Sequence, residues 1–238
     1  MDTLYIVMPA YNEEKNIESV VRSWYPVLKG KSESSRLVIA DSGSRDRTHE
    51  ILEQLRSGEF PQLEILHTDN QYHGPKVIAL YKYAIANGAD YIFQTDSDGQ
   101  TDPEEFGAFW KARRKYAGIF GNRKVRGDGK DRAFVEKVVC ALVLLYFGVK
   151  IPDANAPFRL MRSGLVRKYI DRLPKDFNLP NIMFTTYFVY YKHKVLFLPI
   201  SFKPRRKGKN SINPKKIIKI GWKAVGDFIR LRKDMKNA

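Results

Sequence analysis

A chain of 238 residues with 43% hydrophobic and 13% aromatic content can bury one sizeable core, which excludes disorder as its general state. A single cysteine, Cys140, excludes a disulfide framework and a thiolate metal cluster, and fits a reducing, cytosolic compartment. The net charge of +16 is unevenly placed: residues 203–238 set thirteen Lys and Arg against Asp227 and Asp234, so the tail holds +11 of it and asks for a polyanionic partner. Met1-Asp2 lacks the basic start of a signal peptide, and the apolar run 4–10 is too short to serve as one.

Residues 4–8 form a buried strand that runs into the turn Pro9-Ala10-Tyr11-Asn12-Glu13-Glu14, where Asn12 is placed to cap a helix reaching Leu28. A second strand, 36–40, ends at the polar turn Asp41-Ser42-Gly43-Ser44-Arg45-Asp46-Arg47-Thr48, and a helix follows to about Leu55. A third strand spans 63–66, a helix spans 76–86, and a fourth strand spans 91–93. Strands alternating with helices predict a mainly parallel α/β sheet, whose ligands sit beyond the carboxyl ends of the strands. No G-x-G-x-x-G follows the first strand and no G-x-x-x-x-G-K-[ST] occurs, which argues against a Rossmann dinucleotide site and a P-loop.

The fourth strand leads into Asp96-Ser97-Asp98-Gly99-Gln100-Thr101-Asp102-Pro103. Two carboxylates one residue apart at a strand end can turn toward one hard cation, Mg²⁺ or Mn²⁺, which usually shares its shell with substrate phosphates. Gln100 offers a third oxygen. A solvated acidic turn is the competing reading, whereas an EF-hand is disfavoured because Thr101 and Gly107 stand where it needs glycine and glutamate. Asp102-Pro103-Glu104-Glu105 reads as an N-cap, a proline in the first turn and acids at the positive end of a helix.

In the second half, 119–123 reads as a strand with a basic exit, and Arg126–Arg132 as a polar loop. The apolar run 133–149 has its uninterrupted part, 138–149, shorter than the ~20 residues that span a bilayer, so it is expected to be a buried or interfacial helix. Ile151-Pro152-Asp153-Ala154-Asn155-Ala156-Pro157-Phe158-Arg159 follows, where a structural ion pair between Asp153 and Arg159 is one possibility. Residues 178–191 predict a core helix and 195–201 a further strand. Beyond it, Arg205 and Arg206 are suited to clamping phosphate, with a solvated basic run as the alternative. Residues 211–238 predict an amphipathic helix with Ile217, Trp222, Val225, Phe228 and Ile229 on one face and lysines on another, either on a membrane surface or docked on the protein.

The set Pro9-Ala10-Tyr11-Asn12-Glu13-Glu14, Asp41-x-Gly43-Ser44-x-Asp46-x-Thr48, Gly88-Ala89-Asp90-Tyr91-Ile92 and Asp96-Ser97-Asp98-Gly99-Gln100 resembles inverting glycosyltransferases of family 2 with the GT-A fold. Asp-x-Asp-x-Gln followed by Pro-Glu-Glu is most similar to polyprenol-phosphate sugar synthases of the dolichol-phosphate mannose synthase type. The resemblance implies a GT-A domain over 1–210 with an appended helix over 211–238. It implies that Pro9, Ala10, Tyr11, Glu13, Asp41, Lys76, Asp96, Arg205 and Arg206 hold the nucleotide-sugar. It places Mg²⁺ or Mn²⁺ on Asp96, Asp98 and Gln100, and Asp153, Arg123 and Arg132 around the reacting centre. Ser42 stands where the family usually has a second aspartate.

The expected activity is transfer of a sugar, with inversion, from a UDP- or GDP-sugar to a polyprenyl phosphate at the cytosolic face of an anionic membrane. Asp153 would orient groups if the acceptor is a phosphate, and would be the base if it is a sugar hydroxyl of a saccharide or glycolipid. A non-enzymatic polyanion binder is the remote alternative; no zinc-finger spacing or RNP-type motif accompanies the charge, so nucleic acid is not expected as a partner.

Overall fold

The computed structural model describes residues 1–68, 72–127, 129–204 and 225–235. At its centre, β1 (Leu4–Ala10), β2 (Arg36–Asp41), β3 (Leu63–Leu66), β4 (Tyr91–Thr95), β5 (Gly118–Arg126), β6 (Phe158–Arg162) and β7 (Val195–Phe202) form one sheet in the order β3-β2-β1-β4-β6-β5-β7. β6 runs antiparallel to both neighbours, and the other pairings are parallel. The helices are α1 (Ile17–Trp24), α2 (Thr48–Ser57), α3 (His73–Ala86), α4 (Phe106–Ala112), α5 (Lys130–Phe147), α6 (Ser163–Ile170), α7 (Pro180–Tyr190) and α8 (225–235).

Side-chain alternation along β1 explains the layering. Leu4, Ile6 and Met8 enter a core built with α1, α2 and α4, while Tyr5 and Val7 enter a second core built with α3, α5, α6, α7 and α8. Every residue of β1 is therefore buried, which is why it reads as an unbroken apolar run. Trp24, Phe93, Phe106, Phe109 and Phe158 form an aromatic cluster under the first face, with Phe93 set edge-on to Phe106 at 4.9 Å and to Phe158 at 4.8 Å.

The same topology gathers the functional segments. From β1 the chain goes to β2 on one side and later returns to β4 on the other, so the crevice between the ends of β1 and β4 is a switch point. Because β6 is reversed, its entry from residues 151–157 lies at the same edge as the exits of β1, β2, β4 and β5. Asp41, Asp96, Arg123 and Asp153 all fall along that edge.

Three expectations are corrected. The first helix is α1 followed by a 3₁₀ turn over Tyr25–Leu28, and Asn12 does not cap it. Asn12 adopts a left-handed backbone with φ 55, and its Oδ1 accepts the Arg45 N–H at 2.8 Å. The loop expected over Arg126–Arg132 is shorter, because β5 continues past an irregularity between Asn122 and Val125 to pair Arg126 with Phe202, and α5 begins at Lys130. The helix expected from Lys76 starts at His73: Pro75 lies in its first turn, where a missing N–H costs nothing.

Candidate active site

The first part of the site is a pair of interlocked loops. The backbone N–H groups of Asn12, Glu13 and Glu14 donate to Ser44 Oγ, Thr48 Oγ1 and Asp46 Oδ2 at 3.0, 2.8 and 3.1 Å. The Asp41–Thr48 turn thus holds the turn after β1, a role that its Gly-Ser-x-Asp-x-Thr spacing does not disclose by itself. Asp41 is buried and accepts Ser44 Oγ–H at 2.5 Å. Ser42 Oγ accepts the Thr68 N–H at 2.7 Å, tying the exit of β2 to that of β3. Glu13 is buried, with Oε2 accepting from Asn16 Nδ2 at 2.8 Å.

Pro9 and Ala10 present backbone carbonyls at the switch point. Lys76, buried in the first turn of α3, donates from Nζ to Ala10 O at 2.5 Å, and its ammonium lies 5.4 Å from the Tyr11 ring centre. Burial pulls its pKa down to about 8, against the opposing influence of Asp41. Ser97, the residue between the paired aspartates, donates to Pro9 O at 2.8 Å and locks the β4 exit onto the β1 exit.

Asp96 and Asp98 are both partly open to solvent. Asp96 Oδ1 faces His73 Nε2 at 3.2 Å and Gln94 Nε2 at 3.3 Å. Asp98 Oδ1 accepts the Gln100 N–H at 3.1 Å across a turn in which Gly99 has φ +74, a conformation that favours glycine. This is a hard oxygen donor set on a tight loop and fits a divalent cation. Gln100 is buried, and its Nε2 donates to Lys203 O at 2.8 Å, so a metal contact from it has to come from Oε1. Lys203 answers with its N–H on Gln100 O at 2.8 Å and its Nζ on Asp102 Oδ2 at 2.6 Å. Three contacts therefore stitch the start of the basic tail to the aspartate loop.

Across the edge, Arg123 grips Asp153. Its Nε and Nη2 donate to Oδ2 and Oδ1, each at 2.8 Å, and its backbone N–H donates to Oδ2 at 3.2 Å. Asn155 N–H adds a further donor to Oδ1 at 3.2 Å. Burial opposes the charged carboxylate, but these contacts outweigh it and hold the Asp153 pKa below the usual range. Glu136, on α5, completes the cluster by accepting Arg123 Nη2 at 3.0 Å and Ala154 N–H at 2.8 Å. Burial and the neighbouring Asp153 push the Glu136 carboxyl up. Arg159 does not pair with Asp153; fully buried, it donates to Asn181 O at 2.7 Å, Thr185 Oγ1 at 3.0 Å and the carbonyls of Ala154 and Ala156. Cys140, next to Glu136, is raised by burial to about 12 and is no nucleophile.

Of the residues expected from sequence, Pro9, Ala10, Tyr11, Glu13, Asp41, Lys76, Asp96, Asp98 and Gln100 gather around the exits of β1, β2 and β4, and Arg123 and Asp153 at the junction of β5 and β6. Arg132 lies in the first turn of α5, partly buried. Arg205 and Arg206 lie outside the described residues. His73, Ser97 and Glu136 were not expected there. Glu136 left one trace, an acid beside Lys137 in a run that is apolar elsewhere; His73, beside a Gly-Pro pair, left none.

Comparison with known proteins places this edge in context. The profile described as Glycosyl transferase family 2 matches residues 5–170. The undecaprenyl-phosphate 4-deoxy-4-formamido-L-arabinose transferase of Photorhabdus laumondii is 26% identical over 163 residues, covering 68% of this chain and 49% of the relative. The UDP-N-acetylglucosamine–dolichyl-phosphate N-acetylglucosaminyltransferase of Methanococcus voltae is 31% identical over 114 residues, 43% of each chain. The chain thus spans about half the length of the curated relatives it matches. Glucosyl-3-phosphoglycerate synthase from Mycobacterium tuberculosis, solved with Mn²⁺, UDP-glucose and phosphoglyceric acid, shares the fold at TM-score 0.68 and 17% identity, over 97% of this chain and 79% of its own.

Proposed function

The chain belongs to glycosyl transferase family 2, and from that premise we propose that it transfers a sugar from a nucleoside-diphosphate sugar to a polyprenyl phosphate at the cytosolic face of a membrane. The observation that carries the choice of acceptor is the state of Asp153. A carboxylate held by both arms and the backbone of Arg123, with its pKa depressed, is a poor base for a sugar hydroxyl. A lipid phosphate arrives ionised and needs no base. Its oxygen attacks the anomeric carbon as the bond to the leaving diphosphate breaks, so no proton has to be taken up, and the role left to Asp153 is to fix Arg123.

Pro9, Ala10, Tyr11, Glu13 and Asp41 are assigned to the nucleoside, and Asp96 and Asp98, with Gln100 through Oε1, to a Mg²⁺ or Mn²⁺ ion. When bound, that ion neutralises charge building on the leaving diphosphate. Its presence is supported by the paired hard donors and by the mycobacterial synthase of the same fold, solved in complex with Mn²⁺ and UDP-glucose. Because that complex holds UDP-glucose, UDP-sugars are the donors to test first. Residues 205 and 206 follow closely on Lys203, which is stitched to the aspartate loop, and this supports the assignment of Arg205 and Arg206 to the diphosphate.

Lipid as the acceptor is supported by the names of the relatives and by α5. Its buried side supplies Glu136 to the Arg123–Asp153 cluster, while its outer side exposes Phe134, Val138, Leu144 and Leu145. No described helix is long and apolar enough to cross a membrane, so this exposed stripe suits contact with a membrane surface. Incubating the protein with UDP-sugars and Mn²⁺, and offering undecaprenyl phosphate or a saccharide, tests the reading. Mass spectrometry should find a phosphate-linked glycolipid; product on the saccharide alone would overturn it.

A further inference from the structure

We propose that His49, Glu53 and His67 form a second metal site, for Zn²⁺ or a similar transition-metal ion, distinct from the paired aspartates after β4. His49 and Glu53 are four residues apart in α2 and project from one face of that helix. His67 follows the last residue of β3, which pairs with β2 and so stands beside α2. One ligand atom from each of the three lies within 4.8 Å of the others, and His49 Nε2 is 3.9 Å from Glu53 Oε1. Around tetrahedral zinc, with bonds of about 2.0–2.2 Å, ligand atoms stand roughly 3.3 Å apart, so small side-chain rotations close the site. All three side chains reach solvent, and although Glu53 Oε2 is paired with Arg56 Nη2 at 2.5 Å, its Oε1 is the oxygen turned toward His49.

The donor chemistry selects the ion. Two imidazoles and one carboxylate suit zinc, copper or nickel rather than magnesium, and three protein ligands leave a fourth position for water. A second observation is independent of the cluster. His49 Nδ1 lies 3.6 Å from Asp41 Oδ2, and Asp41 is buried and anchored by Ser44. Histidines on metals usually give their other ring N–H to a carboxylate, which fixes the tautomer and aims the free nitrogen. With Nδ1 facing Asp41, Nε2 is the nitrogen that faces Glu53. The ion would join α2 to the exit of β3, with Asp41 at the exit of β2 behind His49.

Equilibrium dialysis of the intact protein against Zn²⁺ in excess Mg²⁺, with Co²⁺ absorption as the geometric probe, tests this. The parent should retain one zinc per chain and show the intense visible bands of tetrahedral cobalt. His67→Ala, His49→Ala and Glu53→Gln should each weaken zinc binding at least about tenfold, the scale seen even when an outer-shell partner is lost. Asp98→Asn should bind zinc as the parent does. Zinc should raise the melting temperature of the parent and not that of His67→Ala, whose fold is checked by circular dichroism. The proposal is overturned if the folded parent retains no zinc, if both histidine variants bind it as the parent does, or if Asp98→Asn alone abolishes binding.

Discussion

Two buried charged groups, Lys76 and Asp153, are held in opposite ways, and the difference is open to experiment. Asp153 has a guanidinium against it and stays ionised. Lys76 has a backbone carbonyl and an aromatic face, so its charge is less well compensated and its pKa falls to about 8. An unfolded lysine titrates near 10.4. Between those values the unfolded chain binds a proton that the folded chain does not, so stability should rise with pH across the window. Denaturant titrations at pH 7.5 and 9.5 should show that rise in the parent and its loss in Lys76→Met. For the paired carboxylates, Asp98→Asn should leave the fold intact, abolish Mn²⁺-dependent UDP binding by calorimetry and cut turnover by roughly 100-fold or more. Turnover at the parent's rate would remove the metal from Asp98.

The elements differ in how far the sequence disclosed them, for a physical reason. The ends of β1, β2 and β4 were legible because each is an apolar run stopped by a polar turn, a signal contained in ten neighbouring residues. Of the Arg123–Asp153–Glu136 cluster, the resemblance put Arg123 and Asp153 at one centre, but neither their pairing nor Glu136 was legible, since the partners lie 30 and 13 residues from Arg123 in the chain. The start of α3 was missed because Gly74-Pro75 reads as a break. Gly74 is in fact needed for packing: a Cβ there would come within 2.3 Å of Phe177 O and 2.6 Å of Asn178 Cα, both backbone atoms that cannot swing aside. Gly74→Ala should therefore destabilise the fold by about 1–3 kcal/mol, the usual scale of overpacking. Because His73 and Lys76 share that first turn, it should also weaken donor binding. A stable variant with unchanged donor affinity would show that α3 can slide without cost.

At the scale of the whole molecule, +11 of the +16 net charge falls in residues 203–238 of the sequence, while among the described residues the exposed apolar side chains concentrate on α5, against which α8 packs. Phe228, Leu231 and Met235 of α8 are buried against the core, with the Phe228 ring 5.4 Å from that of Phe147 and Arg232 Nη1 donating to Phe147 O at 3.3 Å. The last turns of the predicted tail helix are thus docked on the protein, and Ile229, expected on the apolar face, is exposed. Residues 211–224, with Lys215, Lys216 and Lys219, lie outside the described residues. If tail and α5 both meet a membrane, their contributions should separate by salt. Near an anionic surface each lysine contributes about 1 kcal/mol and is screened as salt rises, whereas buried apolar area is not. Sedimentation should show strong binding to anionic vesicles, weak binding to neutral ones, and a steep loss between low and high salt. Changing Lys215, Lys216 and Lys219 to Gln should weaken binding about 100-fold at low salt and flatten the salt dependence. Phe134→Ser with Leu145→Ser should lower binding at every salt concentration while leaving the melting temperature nearly unchanged, because both side chains already face solvent. Equal partitioning into neutral and anionic vesicles, or none into either, would rule out the membrane surface as a partner and leave α8 as a docked helix alone.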